Sequence, residues 1–242
     1  MAAFFAENSK FPKIIKIPEP LDLEYSFQNA VEFANSEEGL LSSSSIELPR
    51  TLKNACLKRK TDYIRGRQCA FTAFRKMGIE ATGKLLPDER RIPTWPKNCL
   101  GSITHSKNIT WAIVSSKANY HGLGIDCEFY LTAERTAKLM SSICAPSEIL
   151  LGKKLNLDKN IFLTLIFSVK ESIFKCLYPQ THVFFGFKDA EITKIDLKNS
   201  CFSYLLKKRL DEKYPTNFTS NGSFYLGDEY ILSLVSIMNS KP

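Results

Sequence analysis

Two acidic residues, Asp126 and Glu128, lie two positions apart in the otherwise mostly apolar segment 123–128. In a β-strand, side chains two apart point to the same face, so both carboxylates would share one side of the strand. Such a pair is often only a solvated surface feature. Here the preceding Leu-Gly-Ile sequence favours a buried strand, and buried carboxylates require a counter-charge or a metal ion.

A second polar group lies in a strongly apolar helix predicted over 160–178. Its polar stripe consists of Ser168, Lys170, Glu171, Ser172 and Lys175. One interpretation is an exposed ion pair between Glu171 and Lys175, which are four residues apart; such a pair stabilises a helix only slightly. The other interpretation is a cleft, because polar residues on a mostly buried helix tend to face one.

Together, Asp126, Glu128 and Glu171 would form the oxygen-rich site that Mg²⁺ prefers. Lys170 and Lys175 would neutralise phosphate oxygens as point charges. This combination predicts a divalent metal bound with a phosphate ester, in an enzyme that transfers a phosphate-linked group.

Further upstream, His105 ends a predicted strand, where it is either a structural histidine or a phosphate contact. Basic residues of the region 53–91 could form a phosphate-binding rim, although each by itself is an ordinary surface residue. They are Arg59, Lys60, Arg67, Arg90 and Arg91.

The elements that must position these residues indicate an α+β protein of two lobes, residues 1–120 and 121–242. Residues 1–48 are weakly patterned, with one short helix near 27–34, and residues 79–98 are loop-like. Helices are predicted over 51–77 (continuous or broken in two), 134–144, a short segment capped by Ser147, and 160–178, which ends at Pro179. Strands are predicted over 100–105, 110–115, 123–128, 191–197, 202–206, 223–226 and 230–237.

Composition limits the class of protein. Hydrophobic residues at 44% and charged residues at 24% are ordinary for a globular protein, and no apolar run is long enough to span a bilayer. Residues 1–16 lack the pattern of a secretion signal, so a cytoplasmic location is expected. The seven cysteines are scattered without a CxxC pair, which argues against a zinc site or a disulfide framework and fits reduced thiols.

The net charge of +8 is compatible with nucleic acid, an anionic membrane, an acidic protein or a polyphosphate ligand as a partner. Apolar helical positions interrupt the basic residues of 53–91, and no low-complexity tail is present. This pattern favours a localised pocket or docking face over a nucleic-acid arm.

Six segments of the chain, in this order, resemble the 4′-phosphopantetheinyl transferases of the large, surfactin-synthetase-associated class, in particular the subgroup typified by enterobactin synthetase component D. Each segment is weak alone, but the set covers about Arg59 to Gly186 at plausible separations. The segments are 65–70, 93–96, 101–106, 124–128, 167–175 and 178–187.

The resemblance implies a monomer in which two similar α+β lobes form an intramolecular pseudo-dimer, with coenzyme A and the active site in the cleft between them. It implies that Asp126, Glu128 and Glu171 hold Mg²⁺ against the pyrophosphate of coenzyme A. Lys175 would contact the same pyrophosphate.

The resemblance also implies roles in the N-terminal lobe. Thr104, where serine is frequent in the family, and His105 would lie beside the coenzyme phosphates. Arg59, Arg67 and one of Arg90 or Arg91 would bind the 3′-phosphate or the adenine end.

The implied reaction is transfer of phosphopantetheine to a serine of an apo carrier domain, which presents an acidic helix beside that serine. The products would serve nonribosomal peptide, siderophore or polyketide synthesis, and 3′,5′-bisphosphoadenosine would leave. Glu171, or water on the metal, would accept the serine proton, and Lys175 would assist.

Three alternatives make different predictions. A non-catalytic coenzyme A or carrier-binding module would be free to lose one of the acids or lysines that are all present here. A nucleic-acid-binding protein would show salt-dependent affinity without a need for Mg²⁺. The short holo-acyl-carrier synthase class is about half this length and trimeric, so the length of 242 residues favours the two-lobed class.

Overall fold

The N-terminal part of the chain builds a three-stranded antiparallel sheet. The computed structural model describes residues 23–29, 37–80 and 84–239. The sheet contains β1 (Leu23–Asn29), β2 (Cys99–Ser106) and β3 (Ile109–Ser116) in the order β1-β3-β2. Because side chains alternate along a strand, β3 contributes to two cores: Ala112 and Val114 face one, and Trp111 and Ile113 face the other.

Two helices accompany this sheet, α1 (Glu37–Ser43) and α2 (Leu57–Lys76). The second helix packs against the sheet through Cys69, Ala70, Ala73 and Phe74, whose spacing places them on one face. The predicted helix over 51–77 is broken, because Arg50–Leu52 is a separate 3₁₀ turn. The left-handed conformation of Gly78 (φ 72°) ends α2, as predicted.

The C-terminal part builds a five-stranded antiparallel sheet in the order β4-β8-β7-β6-β5. Its strands are β4 (Tyr120–Phe129), β5 (Ala190–Asp196), β6 (Cys201–Leu206), β7 (Thr219–Leu226) and β8 (Tyr230–Met238). Its helices are α3 (Ala133–Ile143), α4 (Pro146–Leu155) and α5 (Lys159–Thr181). The apolar face of α5 packs on β4 and β8 and forms the centre of the largest core.

The two sheets meet edge to edge, because β2 ends one sheet and β4 ends the other. Apolar residues from both sides, among them Trp111, Ile113, Ile125 and Leu232, form a shared core beside this junction. Each sheet thus carries one long helix, α2 or α5. The fold is α+β with two lobes arranged as an intramolecular pseudo-dimer, as predicted.

Two predicted elements are wrong, while the remaining strands and helices after residue 99 agree to within a few residues. The helix expected near 27–34 is contradicted at 27–29, which belong to β1 and pair with β3; residues 30–34 lie outside the described residues. Pro179 does not end α5, which continues to Thr181. In this last turn Gln180 Nε2 donates to Cys176 O at 2.7 Å and Thr181 Oγ1 to Leu177 O at 3.1 Å.

Two further features are the state of the cysteines and the apolarity of the helices. All seven cysteines are free thiols, in agreement with the sequence prediction. Over the part of the chain that the structure describes, no helix has the length and apolarity needed to cross a membrane.

Candidate active site

The junction between β2 and β4 is held by hydroxyl side chains that alternate along β2. Ser102 Oγ accepts a hydrogen bond from Ile125 N at 3.1 Å, and Thr104 Oγ1 accepts one from Cys127 N at 3.2 Å. Two positions further on, Ser106 Oγ donates to a carboxylate oxygen of Glu128 at 3.4 Å. The period-two spacing of these hydroxyls fixes the two lobes in register.

Asp126 lies at the centre of this junction and is almost fully buried. Its Oδ1 accepts hydrogen bonds from Lys175 Nζ at 2.6 Å and from Thr104 Oγ1 at 3.1 Å. Its Oδ2 is buried and has no hydrogen-bond partner among the residues that the structure describes. A buried carboxylate oxygen without a donor is costly, so this oxygen is available to a cation or another ligand.

The close approach of α5 to β4 brings Lys175 within reach of Asp126. It depends on Gly124, because a Cβ at this position would lie 1.9 Å from the backbone oxygen of Ser172 and 2.6 Å from the backbone nitrogen of Cys176. Both atoms belong to the helix backbone and cannot move aside as a flexible side chain would. Glycine two positions before Asp126 is therefore part of how the site is built.

The pKa values of Glu128 and Glu171 are both shifted by burial and by the charges of Asp126 and Lys175. Burial and the nearby carboxylate of Asp126 raise the pKa of Glu128 to about 7, while Lys175 opposes the shift and Glu171 adds to it. Burial also raises the pKa of Glu171, with Lys175 opposing and Asp126 reinforcing the shift. The three acids and Lys175 thus form one electrostatic cluster at the lobe junction.

This donor set fits a hard divalent cation, since it offers carboxylate oxygens, one of which, Asp126 Oδ2, accepts no hydrogen bond from the described part of the chain. In residues 23–29, 37–80 and 84–239, however, no three acidic, histidine or cysteine side chains are positioned to hold one ion jointly. A shared ligand shell would therefore require rotation of the glutamate side chains, and the metal assignment of Asp126, Glu128 and Glu171 stays a prediction.

His105 lies on the opposite side of the junction, next to α2. Its Nε2 lies 3.5 Å from Arg59 Nη1 and 3.7 Å from a carboxylate oxygen of Asp62. Burial and the positive charges of Arg59 and Lys175 lower the pKa of His105, while Asp62 opposes them. A neutral imidazole beside Arg59 and Lys175 is suited to an anionic ligand held between the lobes.

Arg67 is buried in the N-terminal lobe. Its guanidinium carbon lies 3.7 Å from the centroid of the Tyr63 ring, and its Nε donates to Leu85 O at 3.2 Å. The charge of Arg59 contributes to lowering the pKa of Arg67, after burial, so the two arginines share one electrostatic environment. Their contact with a 3′-phosphate stays a prediction.

Arg90 and Arg91 are exposed on a turn closed by Asp88, whose Oδ1 accepts from Arg90 N at 2.9 Å and from Ile92 N at 2.8 Å. Arg91 has a left-handed backbone conformation, with φ 66°. The assignment of either arginine to the coenzyme stays a prediction.

Lys170 requires a correction, because it does not lie at the site. Its Nζ is buried and bonds to Glu148 Oε2 at 2.7 Å and to Ile143 O at 2.8 Å. Adjacent helix residues are about 100° apart, so Lys170 points into the C-terminal core while Glu171 faces the junction. The predicted polar stripe also loses Ser168 and Ser172, which are buried.

Sequence reasoning missed several residues that shape this region. Asp62 contacts His105 from α2, and Ser102 and Ser106 join β2 to β4. Hydroxyl residues at every second position of 102–106 could have indicated the roles of Ser102 and Ser106. Glu148, the partner of Lys170, gave no local signal, because the two are 22 residues apart in the chain.

Comparison with known proteins agrees with this geometry. Residues 48–115 match the family described as the 4′-phosphopantetheinyl transferase N-terminal domain, and residues 122–235 match the 4′-phosphopantetheinyl transferase superfamily. The two matches fall on the two lobes and together cover most of the chain. The chain belongs to the 4′-phosphopantetheinyl transferase superfamily.

Individual relatives are moderately similar. The chain is 28% identical to 4′-phosphopantetheinyl transferase Npt of Nocardia iowensis, over 82% of this chain and 96% of that protein. It is 34% identical to 4′-phosphopantetheinyl transferase Svp of Streptomyces mobaraensis, over 56% and 54% respectively. It is 35% identical to enterobactin synthase component D of Escherichia coli O157:H7, over 58% of this chain and 65% of that protein.

Proposed function

We propose that this protein transfers the 4′-phosphopantetheine group of coenzyme A to a serine of an apo carrier domain, as the names of its relatives suggest for them. The observation that carries the proposal is a cluster at the junction of two lobes that both match the family: buried Asp126 with the partly exposed Glu128, Glu171 and Lys175. A carrier of nonribosomal peptide or siderophore synthesis is the expected substrate.

The residues around the cluster support a division of labour. Asp126, Glu128 and Glu171 would hold Mg²⁺, which when bound would offset negative charge on the pyrophosphate. Lys175, hydrogen-bonded to Asp126, presents a positive charge to phosphate oxygens from α5. Arg59 and His105 face the same junction from the N-terminal lobe.

In the proposed reaction, the serine oxygen bonds to the β-phosphorus of coenzyme A. The bond from that phosphorus to the bridging oxygen breaks, and 3′,5′-bisphosphoadenosine leaves with the electron pair. The serine proton passes to a base, for which Glu171 is the candidate because it lies in the same cluster as Asp126 and Lys175. Lys175 stabilises the phosphate charge during transfer.

The proposal also includes the boundary between the lobes, a monomeric state and a cytoplasmic location. The proposed division between residues 120 and 121 lies one residue after the start of β4, whose strand from Tyr120 onward belongs to the five-stranded sheet. A monomer needs no second subunit, because the lobe junction already lies within one chain. The seven free thiols are consistent with a cytoplasmic location.

Release of 3′,5′-bisphosphoadenosine tests this proposal. The product should form only when coenzyme A, an apo carrier domain and Mg²⁺ are all present, in equal amount to the carrier modified. Asp126→Ala should abolish release with the fold retained by circular dichroism. Release that is indifferent to the carrier would indicate hydrolysis instead, and no release with peptidyl, aryl or acyl carriers would reject the proposal.

A further inference from the structure

A buried carboxylate lies among the basic residues of the N-terminal lobe that face the junction. Asp62 on α2 is only 7% exposed, and its Oδ2 lies 3.6 Å from Lys58 Nζ and 3.7 Å from His105 Nε2. Arg59 Nη1 lies 3.5 Å from the same imidazole nitrogen. An acid at this place is unexpected, because its charge repels the phosphates that are expected between the lobes. Asp62 therefore needs a role other than direct contact with that ligand.

The carboxylate of Asp62 is linked to His105 along two routes. The first is the direct contact with the imidazole. The second runs through Lys58, whose Nζ also donates to the backbone oxygen of Lys107 at 3.1 Å. Lys107 lies two residues after His105, in the turn between β2 and β3, where it has a left-handed conformation with φ 49°. Asp62 thus ties α2 both to the side chain of His105 and to the turn that follows it.

The packing of α2 on β2 explains why Asp62 reaches this histidine. Gly66 lies four residues after Asp62 on the same helix face, and a Cβ at this position would lie 2.8 Å from Cγ2 of Ile103. The helix therefore approaches β2 closely at Ile103. One turn earlier on the helix and two residues further along the strand, Asp62 meets His105.

We propose that Asp62 is a positioning residue that holds His105 at the junction, beside Arg59, for contact with the phosphates of coenzyme A. This inference rests on the proposed function, because it takes coenzyme A as the ligand between the lobes. Asp62 itself does not touch the coenzyme and acts through the imidazole.

Positioning and simple charge repulsion predict opposite effects when the charge of Asp62 is removed. Asp62→Asn makes the site more positive. If the carboxylate only repelled the ligand, this variant would bind coenzyme A more tightly than the parent. If the carboxylate holds His105 in place, binding should weaken although the site has gained positive charge.

Helix α3 of the C-terminal lobe provides a matched control. Glu134 and Lys138 form an exposed ion pair, and they are four residues apart, as Lys58 and Asp62 are. Glu134→Gln removes such a pair and changes the net charge of the chain by the same amount as Asp62→Asn. A general effect of charge on coenzyme A binding would therefore appear in both variants.

Binding of coenzyme A is measured by calorimetry for the parent and the variants, whose fold is checked by circular dichroism. Asp62→Asn should weaken binding about tenfold, the loss expected when one contact to a charged group is removed. Asp62→Glu keeps the charge and should bind more tightly than Asp62→Asn, and Glu134→Gln should equal the parent. If Asp62→Asn does not fold, Asp62→Ser takes its place.

Two further measurements separate positioning from a purely structural role. In the His105→Ala background, Asp62→Asn should weaken binding no further, because the group that it positions is absent. With His105 present, Asp62→Asn should lower the pKa of this histidine further, as followed by NMR of the imidazole. Asp62 opposes the lowering of this pKa that is caused by burial and by the nearby cations Arg59, Lys175 and Lys58.

Three results would overturn the inference: binding in Asp62→Asn that is as tight as in the parent or tighter, equal weakening with and without His105, or an unchanged pKa of His105. A parent protein that binds no coenzyme A would reject this inference together with the proposed function. A parent that binds coenzyme A but modifies no carrier would reject the proposed function alone, since the binding results still decide the role of Asp62.

Discussion

Replacing Lys170 by methionine distinguishes a structural lysine from the phosphate contact that the sequence predicts. Methionine keeps the length and packing of the side chain but leaves Glu148 buried without its cation. Removing one partner of a buried ion pair costs about 3–5 kcal/mol. For a domain of this size, about 2–4 °C per kcal/mol, the melting temperature should fall by roughly 6–20 °C.

Glu148 does more than pair with Lys170, which makes a double-mutant cycle informative. Its carboxylate also accepts hydrogen bonds from Ala145 N at 2.6 Å and Ile192 N at 2.7 Å. Glu148→Gln combined with Lys170→Met should cost less than the sum of the two single changes, with a coupling energy of about 1–3 kcal/mol.

Lys175→Met is the matched control, because Lys175 lies five residues further along α5 and contacts Asp126 instead. Urea unfolding and calorimetric binding of coenzyme A are measured for all variants. Lys170→Met should lose stability while the folded protein binds coenzyme A as the parent does. Lys175→Met also removes the cation of a buried carboxylate, so it should lose stability as well, but its folded form should bind coenzyme A more weakly than the parent. Parental stability with tenfold weaker binding in Lys170→Met would refute the structural assignment.

Three further predictions follow from the site. Thr104→Val should lower the free energy of unfolding by about 1–3 kcal/mol in urea, since the buried N–H of Cys127 loses its acceptor, whereas Thr104→Ser should restore most of it; equal losses would contradict this. Since the pKa of Glu128 is raised to about 7, the native state binds the proton more tightly than the unfolded chain. Stability in metal-free buffer should therefore fall as pH rises from about 4.5 to 7 and then level off. Urea unfolding at several pH values should show a weaker dependence of the unfolding free energy on pH in Glu128→Gln. An unchanged pH dependence would mean that another group titrates. Arg67→Ala should weaken binding of coenzyme A by about 1.5–3 kcal/mol more than binding of 3′-dephospho-coenzyme A, by calorimetry; equal losses would remove the 3′-phosphate from Arg67.

The sequence was sufficient for the parts of the site that depend on local periodicity. The two-residue spacing of Asp126 and Glu128 predicted that both carboxylates share one face of a strand, and the apolar pattern of 160–178 located α5. Gly124 belonged to a motif in the sequence, but its reason became visible only where the backbone of Ser172 approaches β4.

The predictions that the structure contradicts concern residues whose partners lie in distant segments of the chain. Lys170 and Glu171 are neighbours in sequence, yet the helix turns one inward to Glu148 and the other to the junction. The segment 27–29 has a helical pattern but gains more from pairing with β3. None of these partners lies close enough in sequence to be read locally.

The intact mass of an apo carrier domain after incubation with this protein tests the central claim most directly. With coenzyme A and Mg²⁺, the carrier should gain the mass of one phosphopantetheine on its serine, and Asp126→Ala should leave the carrier unmodified. A carrier of unchanged mass after incubation with the parent protein, or modification by Asp126→Ala at the parental rate, would contradict the account.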